Sequence, residues 1–173
     1  MCEFIHYKYR PKLLEYIDYN SKLKNYLYNL AKTDISNLVL YGPNGTCKKT
    51  FINCYLNKCF NNDDSIYNTN TFNYTLSNNY KIHYKSSNKH YQVNLLDNYK
   101  NNILIIHELI NYLIQSKSIF NNYTIIILHN IHKLNKHTNL LKNIMEKYYT
   151  VKFLCSSLKR HNELELAIQL RTE

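Results

Sequence analysis

The chain reads NLVLYGPNGTCKKTFINCYLNKC from Asn37 to Cys59, and this stretch decides the fold. Residues 37–41 are a short apolar run that stops at Gly42-Pro43, a pattern typical of a buried strand. From Lys48 to about Phe60 the apolar residues recur at helical spacing on one stripe: Phe51, Ile52, Tyr55, Leu56 and Cys59. The stretch therefore predicts a strand, a tight turn and a helix.

The turn lies in a nine-residue match to a phosphate-binding P-loop: Gly42, Pro43, Asn44, Gly45, Thr46, Cys47, Lys48, Lys49 and Thr50. The only two glycines of the chain are both in this loop. Glycines let backbone N–H groups surround a phosphate, and the N-terminus of the following helix adds favourable charge. Lys48 is placed to reach the β- and γ-phosphates of a nucleotide, so the loop is the candidate nucleotide site.

Two residues depart from the P-loop pattern. Cys47 stands where a glycine normally precedes the lysine, and its Cβ crowds the surface that approaches the phosphates. Lys49 stands where a serine or threonine normally holds Mg²⁺. Thr50 cannot substitute, because one further residue along a helix lies about 100° round. Three alternatives stay open: no nucleotide, weak or structural binding of ATP or ADP, and turnover.

The carboxylates of the same chemistry are also missing. Phosphoryl transfer to water needs a carboxylate on Mg²⁺ and a group that orients the nucleophile. These belong at the end of the predicted strand 123–128, where the chain has His129 and Asn130. No Asp or Glu occurs between Glu108 and Glu146. This predicts a degenerate Walker B position, no catalytic residues and no ATP hydrolysis.

Histidine and cysteine patterns predict no further site. His129, His132 and His137 have no cysteine or carboxylate nearby, so no metal centre is predicted. Cys47 is predicted to be inert, with a redox-sensitive thiol as the alternative. The five cysteines include no CxxC pair, and the N-terminus lacks an apolar stretch, which favours reduced intracellular thiols.

The rest of the chain alternates strands and helices. Further strands are predicted at 80–84, 90–95, 123–128 and 151–155, and helices at about 21–31, 97–116, 136–148 and 162–171. Residues 1–19 are predicted to be irregular, and residues 61–79 to be loop with weak strands. This alternation predicts an α/β fold in which helices flank a mostly parallel sheet. The length of 173 residues predicts one domain over 1–173.

Composition limits the partners of the chain. Its net charge is +10, which favours polyanions. Asn, Lys, Tyr and Ile, all spelled by A- and T-rich codons, make up 82 of the 173 residues. The alternative is therefore that the lysines reflect an AT-biased genome and lie on a solvated surface. The longest aliphatic runs, 103–106 and 125–128, are too short to span a membrane.

Several short motifs, in order along the chain, resemble the replication factor C small subunits, the clamp-loader branch of the AAA+ ATPases. They are KYRP at 8–11, IDYN at 17–20, CKKT at 47–50, the pattern Ser87-Asn88, His90 and Val93-Asn94, and MEKY at 145–148. The loop most resembles the subunit type, numbered 3 or 5, that ends it with GKKT. Arg171 falls where the family has the arginine of a Ser-Arg-Cys motif. Ser156-Ser157 lie near the place where the family has an asparagine sensor.

The resemblance implies a P-loop AAA+ domain whose nucleotide site is weakened and whose role is largely architectural. It implies help in loading a sliding clamp onto primer–template DNA, with other replication factor C subunits as partners and no membrane. It implies that residues 8–20 and the helix after the P-loop face the clamp. A nuclear location is expected, or a relict nucleus or similar compartment with a compact AT-rich genome.

The resemblance also implies a DNA-lining surface at the N-termini of the helices at 97–116 and 136–148. Candidate phosphate contacts there are Lys100, Lys133, Lys136 and Lys142. The family position of Arg171 implies a role in trans on a neighbour's nucleotide, whereas its flanking residues Leu170 and Thr172 do not match the family motif.

The family continues through a helical lid and a C-terminal collar, whereas this sequence stops at Glu173. We expect a fragment, a reduced gene product, or assembly through the ATPase-domain face alone. Two alternative functions stay open. One is an active P-loop ATPase with unorthodox ligands, and the other is a DNA-binding or scaffold remnant that never acts on a clamp.

Overall fold

A computed structural model gives the structure of the chain and describes residues 9–75, 81–96, 103–115 and 123–159. The strands are β1 (Leu38–Tyr41), β2 (Asn70–Thr75), β3 (Lys81–Ser86), β4 (Tyr91–Asn94), β5 (Thr124–His129) and β6 (Val151–Ser157). The helices are α1 (Ser21–Leu30), α2 (Lys48–Cys59), α3 (Ile103–Gln115) and α4 (Thr138–Lys147). Short 3₁₀ turns occur at Leu14–Tyr16, Asp64–Tyr67 and Ile131–His137. None of the helices in these ranges is long and apolar enough to cross a membrane.

The six strands form one sheet in the order β1-β6-β5-β4-β3-β2. The pairs β1/β6, β6/β5 and β5/β4 are parallel, and β3 joins β4 and β2 by antiparallel pairing. The predicted α/β fold with a mostly parallel sheet is confirmed. β5 lies inside the sheet and all six of its residues are buried, as its unbroken apolar run indicates.

The side chains of successive β5 residues pack into two hydrophobic cores, one on each face of the sheet. Ile126 and Leu128 pack in a cluster with side chains of α3 and α4. Ile125 and Ile127 pack in a second cluster with side chains of α1 and α2. Because side chains alternate across a strand, β-branched residues at successive positions serve both faces. This two-sided core holds the carboxyl ends of the parallel strands in place.

Several boundaries differ from the predictions. β5 and β6 run on to His129 and Ser157, so both polar ends belong to strands rather than to the loops that follow. Residues 131–137 form a 3₁₀ turn, so α4 begins at Thr138 rather than 136. β2 is a full strand within the predicted loop because it pairs with β3, although its own residues are mostly exposed. The predicted helix start at 97 and the helix at 162–171 lie outside the described residues.

Left-handed backbone occurs at several polar turns. Among the described residues, five that are not glycine have positive φ: Asn20, Cys47, Asn61, Asn62 and Asn130. Asparagine is enriched in this conformation because its side chain hydrogen-bonds locally. Cys47 has no such amide, and it is the residue that caps the N-terminus of α2.

Candidate nucleotide site

The P-loop links β1 to α2 as a closed turn at the carboxyl edge of the sheet. The backbone N–H of Gly42 donates to the Ser157 carbonyl oxygen at 3.2 Å, which ties the loop to the end of β6. The Thr46 hydroxyl donates to the Pro43 carbonyl oxygen at 2.8 Å across the turn. Gly42 has a φ of 154°, which residues other than glycine rarely adopt, and a Cβ there would also crowd the Thr46 Oγ1 at 3.3 Å.

The Lys48 side chain folds back into its own loop. Its Nζ donates to the carbonyl oxygens of Gly42 at 2.7 Å and Pro43 at 2.6 Å, and to Thr46 Oγ1 at 3.2 Å. Burial lowers the pKa of the Lys48 ammonium. The Lys48 ammonium therefore already has hydrogen-bond partners within the loop. A phosphate would have to compete with these loop oxygens for the ammonium.

Cys47 occupies a left-handed position, with φ of 52°. Its exposed thiol lies 3.6 Å from the Gly45 carbonyl oxygen, and it also interacts with the Tyr19 side chain. Burial and this contact with Cys47 raise the pKa of the Tyr19 hydroxyl. The Tyr19 ring meets Phe51 of α2 edge to face, with 5.5 Å between centroids. The IDYN segment thus packs directly beside the loop.

The residues after Lys48 face different surroundings. Thr50 is 4% exposed, on the buried side of α2. Lys49 is half-buried, and its charge acts on the imidazole of His129. The helix turn therefore directs Thr50 into the core, whereas the Lys49 charge reaches the end of β5.

The ends of β4, β5 and β6 meet in a hydrogen-bonded cluster without a carboxylate. The Ser156 hydroxyl oxygen lies 3.1 Å from His129 Nδ1 and accepts from the Asn130 backbone N–H at 3.3 Å. The Asn130 side-chain amide donates to Asn94 Oδ1 at 2.7 Å. The polar residues predicted at 129–130 and 156–157 are thus brought together with Asn94, beside the loop that Ser157 holds.

Both buried histidines near this cluster are neutral. His129 is fully buried, and burial together with the charges of Lys49 and Arg10 lowers its pKa to about 3. Burial lowers the pKa of His90 to about 4, and the Ser87 hydroxyl lies 2.8 Å from its Nδ1. His132 Nδ1 accepts from the Leu158 backbone N–H at 3.4 Å. Within the described ranges, no group of three or more His, Cys, Asp or Glu residues could hold a metal ion.

A cleft of about 590 Å³ adjoins the loop, a size within the range of small-molecule sites. It runs along β1 between α1 and α2, and its walls include Asn20, Tyr26, Val39 and Lys48. The sequence analysis did not identify the α1 side of this cleft. The cleft lies between consecutive elements of the chain, but their relative packing does not follow from the local pattern, and Tyr26, which that pattern places on the apolar stripe of α1, is exposed.

The N-terminal segment packs against α2. The carbonyl oxygen of Lys12 accepts from the Asn57 side-chain amide at 3.1 Å and from the Tyr67 hydroxyl at 2.6 Å. Glu15 pairs with Lys58, the basic residue in the last turn of α2, at 3.3 Å. Residues 9–20 and α2 therefore present one continuous surface.

The candidate DNA contacts are only partly described. Lys133 is exposed in the 3₁₀ turn that follows β5, and Lys142 of α4 pairs with Glu146 at 3.8 Å. The side chain of Lys136 and the whole of Lys100 and Arg171 lie outside the described residues. Lys133 thus lies just beyond the polar cluster, on the same side of the sheet as the loop.

Comparison with known proteins identifies relatives of the chain. It is 29% identical over 155 residues to replication factor C subunit 5 of Saccharomyces cerevisiae, covering 82% of this chain and 44% of that protein. It is 30% identical over 149 residues to subunit 3 of Homo sapiens, with 82% and 42% covered. For the probable subunit 3 of Dictyostelium discoideum the identity is 32% over 152 residues, with 83% and 44% covered. The chain thus spans less than half the length of the curated relatives it matches.

Solved structures agree on the fold. A mutant form of RuvB from Thermotoga maritima aligns with a TM-score of 0.56 at 14% identity, covering 92% of this chain and 46% of RuvB. The RuvB Holliday junction branch migration motor of the same organism aligns at 0.54 and 18% identity, covering 94% and 46%. No family model matches the chain. The fold is that of the AAA+ ATPases, and the resemblance to replication factor C small subunits is confirmed.

Proposed function

We propose that this chain, which resembles subunits 3 and 5 of replication factor C, acts as a non-hydrolysing clamp-loader subunit. One AAA+ domain over residues 1–173 would take its place beside other replication factor C subunits. It would help them place a sliding clamp on primer–template DNA in the nucleus. The observation that carries the proposal is a closed phosphate loop beside the ends of β4, β5 and β6, where the described residues include no carboxylate.

The site lacks the groups that ATP hydrolysis requires. Catalysis of this kind consists of positioning and electrostatic stabilisation around Mg²⁺. Lys49 replaces the hydroxyl that would hold the ion, and His129 and Asn130 replace the carboxylates. His129 is also tied to Ser156, and Asn130 to Asn94. Neither side chain supplies the missing negative charge, because one is a neutral imidazole and the other an amide.

A site that lacks the groups for hydrolysis can still bind ADP or ATP as a structural ligand. Lys48 and the backbone N–H groups of the loop can hold phosphates, and the cleft along β1 has room for the rest of a nucleotide. Two contacts keep the affinity low. Lys48 must give up its bonds to Gly42 and Pro43, and Cys47 places a Cβ where the phosphates approach.

Two surfaces suit the proposed partners. The continuous face of residues 9–20 and α2 is where the resemblance implies contact with the clamp. Lys133 lies on the carboxyl side of the sheet, where the resemblance implies DNA. Non-specific binding to phosphates suits exposed lysines on a chain of net charge +10.

The test combines partner identification with an ATPase assay. Affinity purification from the native source should recover a sliding clamp and other replication factor C subunits, and recovery of neither would contradict the proposal. Purified protein should show no steady-state ATP hydrolysis. Lys48→Ala serves as the loop variant and Lys58→Ala, in the last turn of the same helix, as its matched control. Turnover that Lys48→Ala abolishes and Lys58→Ala preserves would establish an active ATPase instead.

A further inference from the structure

We propose that the loop holds nucleotide without a divalent cation, with the Lys49 ammonium and the His129 N–H in the cation's place. This inference rests on the proposed nucleotide site and deepens it, since it concerns which form of the ligand the site accepts. P-loop sites ordinarily hold Mg²⁺ through a Ser or Thr hydroxyl, carboxylates and phosphates. The residues of this chain do not fit that ion.

The hydrogen bonds of Ser156 assign the proton on His129. Ser156 is buried, and its hydroxyl oxygen accepts from the backbone N–H of Asn130. Among the described residues, the acceptor within reach of its own hydrogen is His129 Nδ1, at 3.1 Å. A neutral imidazole that accepts at Nδ1 carries its hydrogen on Nε2. His129 therefore offers a donor at Nε2, whereas a metal ion would need a lone pair there.

That donor is buried and has no partner. His129 Nε2 has no hydrogen-bond partner among the residues that the structure describes, and the side chain is fully buried. Buried polar groups are nearly always satisfied, so an unpaired N–H at a strand end indicates an acceptor from beyond the residues that the structure describes. A phosphate oxygen is such an acceptor, and the phosphate loop adjoins this strand end.

The surrounding charge also favours an anion. The positive charges that lower the pKa of His129 include those of Lys49, Arg10 and Lys85. A divalent cation placed here would meet two or three positive charges and, among the described residues that act on His129, no carboxylate, so its negative ligands would be the phosphates alone. The Lys49 ammonium, whose charge acts at this strand end, would instead supply the positive charge that Mg²⁺ brings to a nucleotide phosphate.

The test measures ADP binding to the full chain by calorimetry, in EDTA and in excess Mg²⁺. We expect binding in EDTA that Mg²⁺ leaves unchanged or weakens, because the magnesium complex carries less negative charge. If Mg²⁺ strengthens binding by more than about threefold, the inference is wrong while the nucleotide site stands. Absence of binding in both buffers would refute the nucleotide site, and this inference with it.

Lys49→Ser restores the usual hydroxyl and removes the ammonium, so it tests whether the Lys49 charge contributes to nucleotide binding in the absence of Mg²⁺. We expect it to weaken ADP binding in EDTA by about tenfold or more, the loss typical of one charge-assisted hydrogen bond, and to recover part of it in Mg²⁺. Lys58→Ser makes the same change at the far end of α2 and should leave both affinities unaltered. Lys49→Met replaces the serine variant if that one does not fold. Unchanged affinity in EDTA without the Lys49 charge would overturn the inference.

Discussion

The side chain of Asn37 accepts a hydrogen bond from the backbone N–H of Phe153 at 2.7 Å, between residues 116 positions apart in the chain. Both residues are buried, just before the point where β1 and β6 begin to pair. The amide side chain thus extends the parallel ladder by one position. It fixes the start of the strand that leads into the phosphate loop.

Asn37→Ala should lower the free energy of unfolding by about 1–3 kcal/mol, because it leaves the buried Phe153 N–H without a partner. Urea denaturation followed by circular dichroism measures the change. Asn25→Ala, on the exposed face of α1, is the matched control and should stay within about 0.5 kcal/mol of the parent. Equal effects of the two substitutions would show that the Asn37 bond contributes nothing specific.

Stability should fall in mild acid. The pKa values of His129 and His90 are lowered from 6.5 to about 3 and about 4, so the unfolded chain binds protons before the folded one does. Full stability is therefore present above pH 6.5 and is lost as the pH falls toward the folded-state values. The slope should approach about 1.4 kcal/mol per pH unit for each histidine in this window.

Urea midpoints measured between neutral pH and about pH 5 test this dependence. His129→Gln should flatten the slope, while His83→Gln, on the exposed face of β3, should not. Hydrogen bonds lower the pKa values of Asp34 and Asp63 below 3.8, so these carboxyls contribute only in stronger acid. A stability that is flat from neutral pH to pH 5 would mean that neither buried histidine stays neutral.

Cys47→Gly should raise both stability and nucleotide affinity. Residues with a Cβ are destabilised by about 1–2 kcal/mol in the left-handed conformation, and glycine is not. We expect a gain of up to about 1 kcal/mol in unfolding free energy and tighter ADP binding, because the Cβ no longer crowds the phosphates. Asn61 also has a left-handed backbone, with φ of 56°, but lies outside the loop, so Asn61→Gly removes a Cβ in a similar conformation away from the nucleotide site. It should therefore change stability without changing ADP affinity, and parallel changes in affinity would argue against a local effect at Cys47.

DNA binding by the assembled complex should be independent of sequence and sensitive to salt. Each phosphate contact contributes about 0.9 to the slope of log affinity against log salt concentration. Lys133→Ala should therefore reduce the slope by about that amount, and neutralising Lys100, Lys136 and Lys142 together should flatten it further. Lys152→Ala changes a lysine at the opposite end of β6 and should leave the slope as it was. An unchanged slope after all four substitutions would remove the DNA-lining surface from the proposal.

Local patterns were sufficient to predict the parallel part of the fold. The Ile125–Leu128 run, the loop glycines and the stripe of α2 are physical requirements of a buried strand, a tight turn and a packed helix. β2 was predicted only as a weak strand within a loop because its residues are mostly exposed, and its strand conformation depends on pairing with β3. Pairing is a property of two segments, so no single stretch reveals it.

The candidate site was predictable in its members but not in its contacts. Spacing identified Cys47, Lys49 and the 129–130 pair as departures from the P-loop pattern. The bond from Ser156 to His129 and the reach of the Lys49 charge depend on strands brought together by the sheet. The same is true of Tyr19, whose contact with Cys47 joins a segment that the sequence presents only as irregular.

The residues found at the left-handed turns show how the backbone can tolerate a bias in base composition. The AT-biased genome that we infer from the composition would remove glycine codons and supply asparagine codons, and four of the five positive-φ residues other than glycine in the described ranges are asparagines. Asparagine is the residue that replaces glycine at least cost in this conformation. Base composition could therefore drift without breaking these turns. Cys47 is the exception, a costly residue at the turn where a glycine would face phosphate, and the proposed loss of hydrolysis would explain why such a residue persists there.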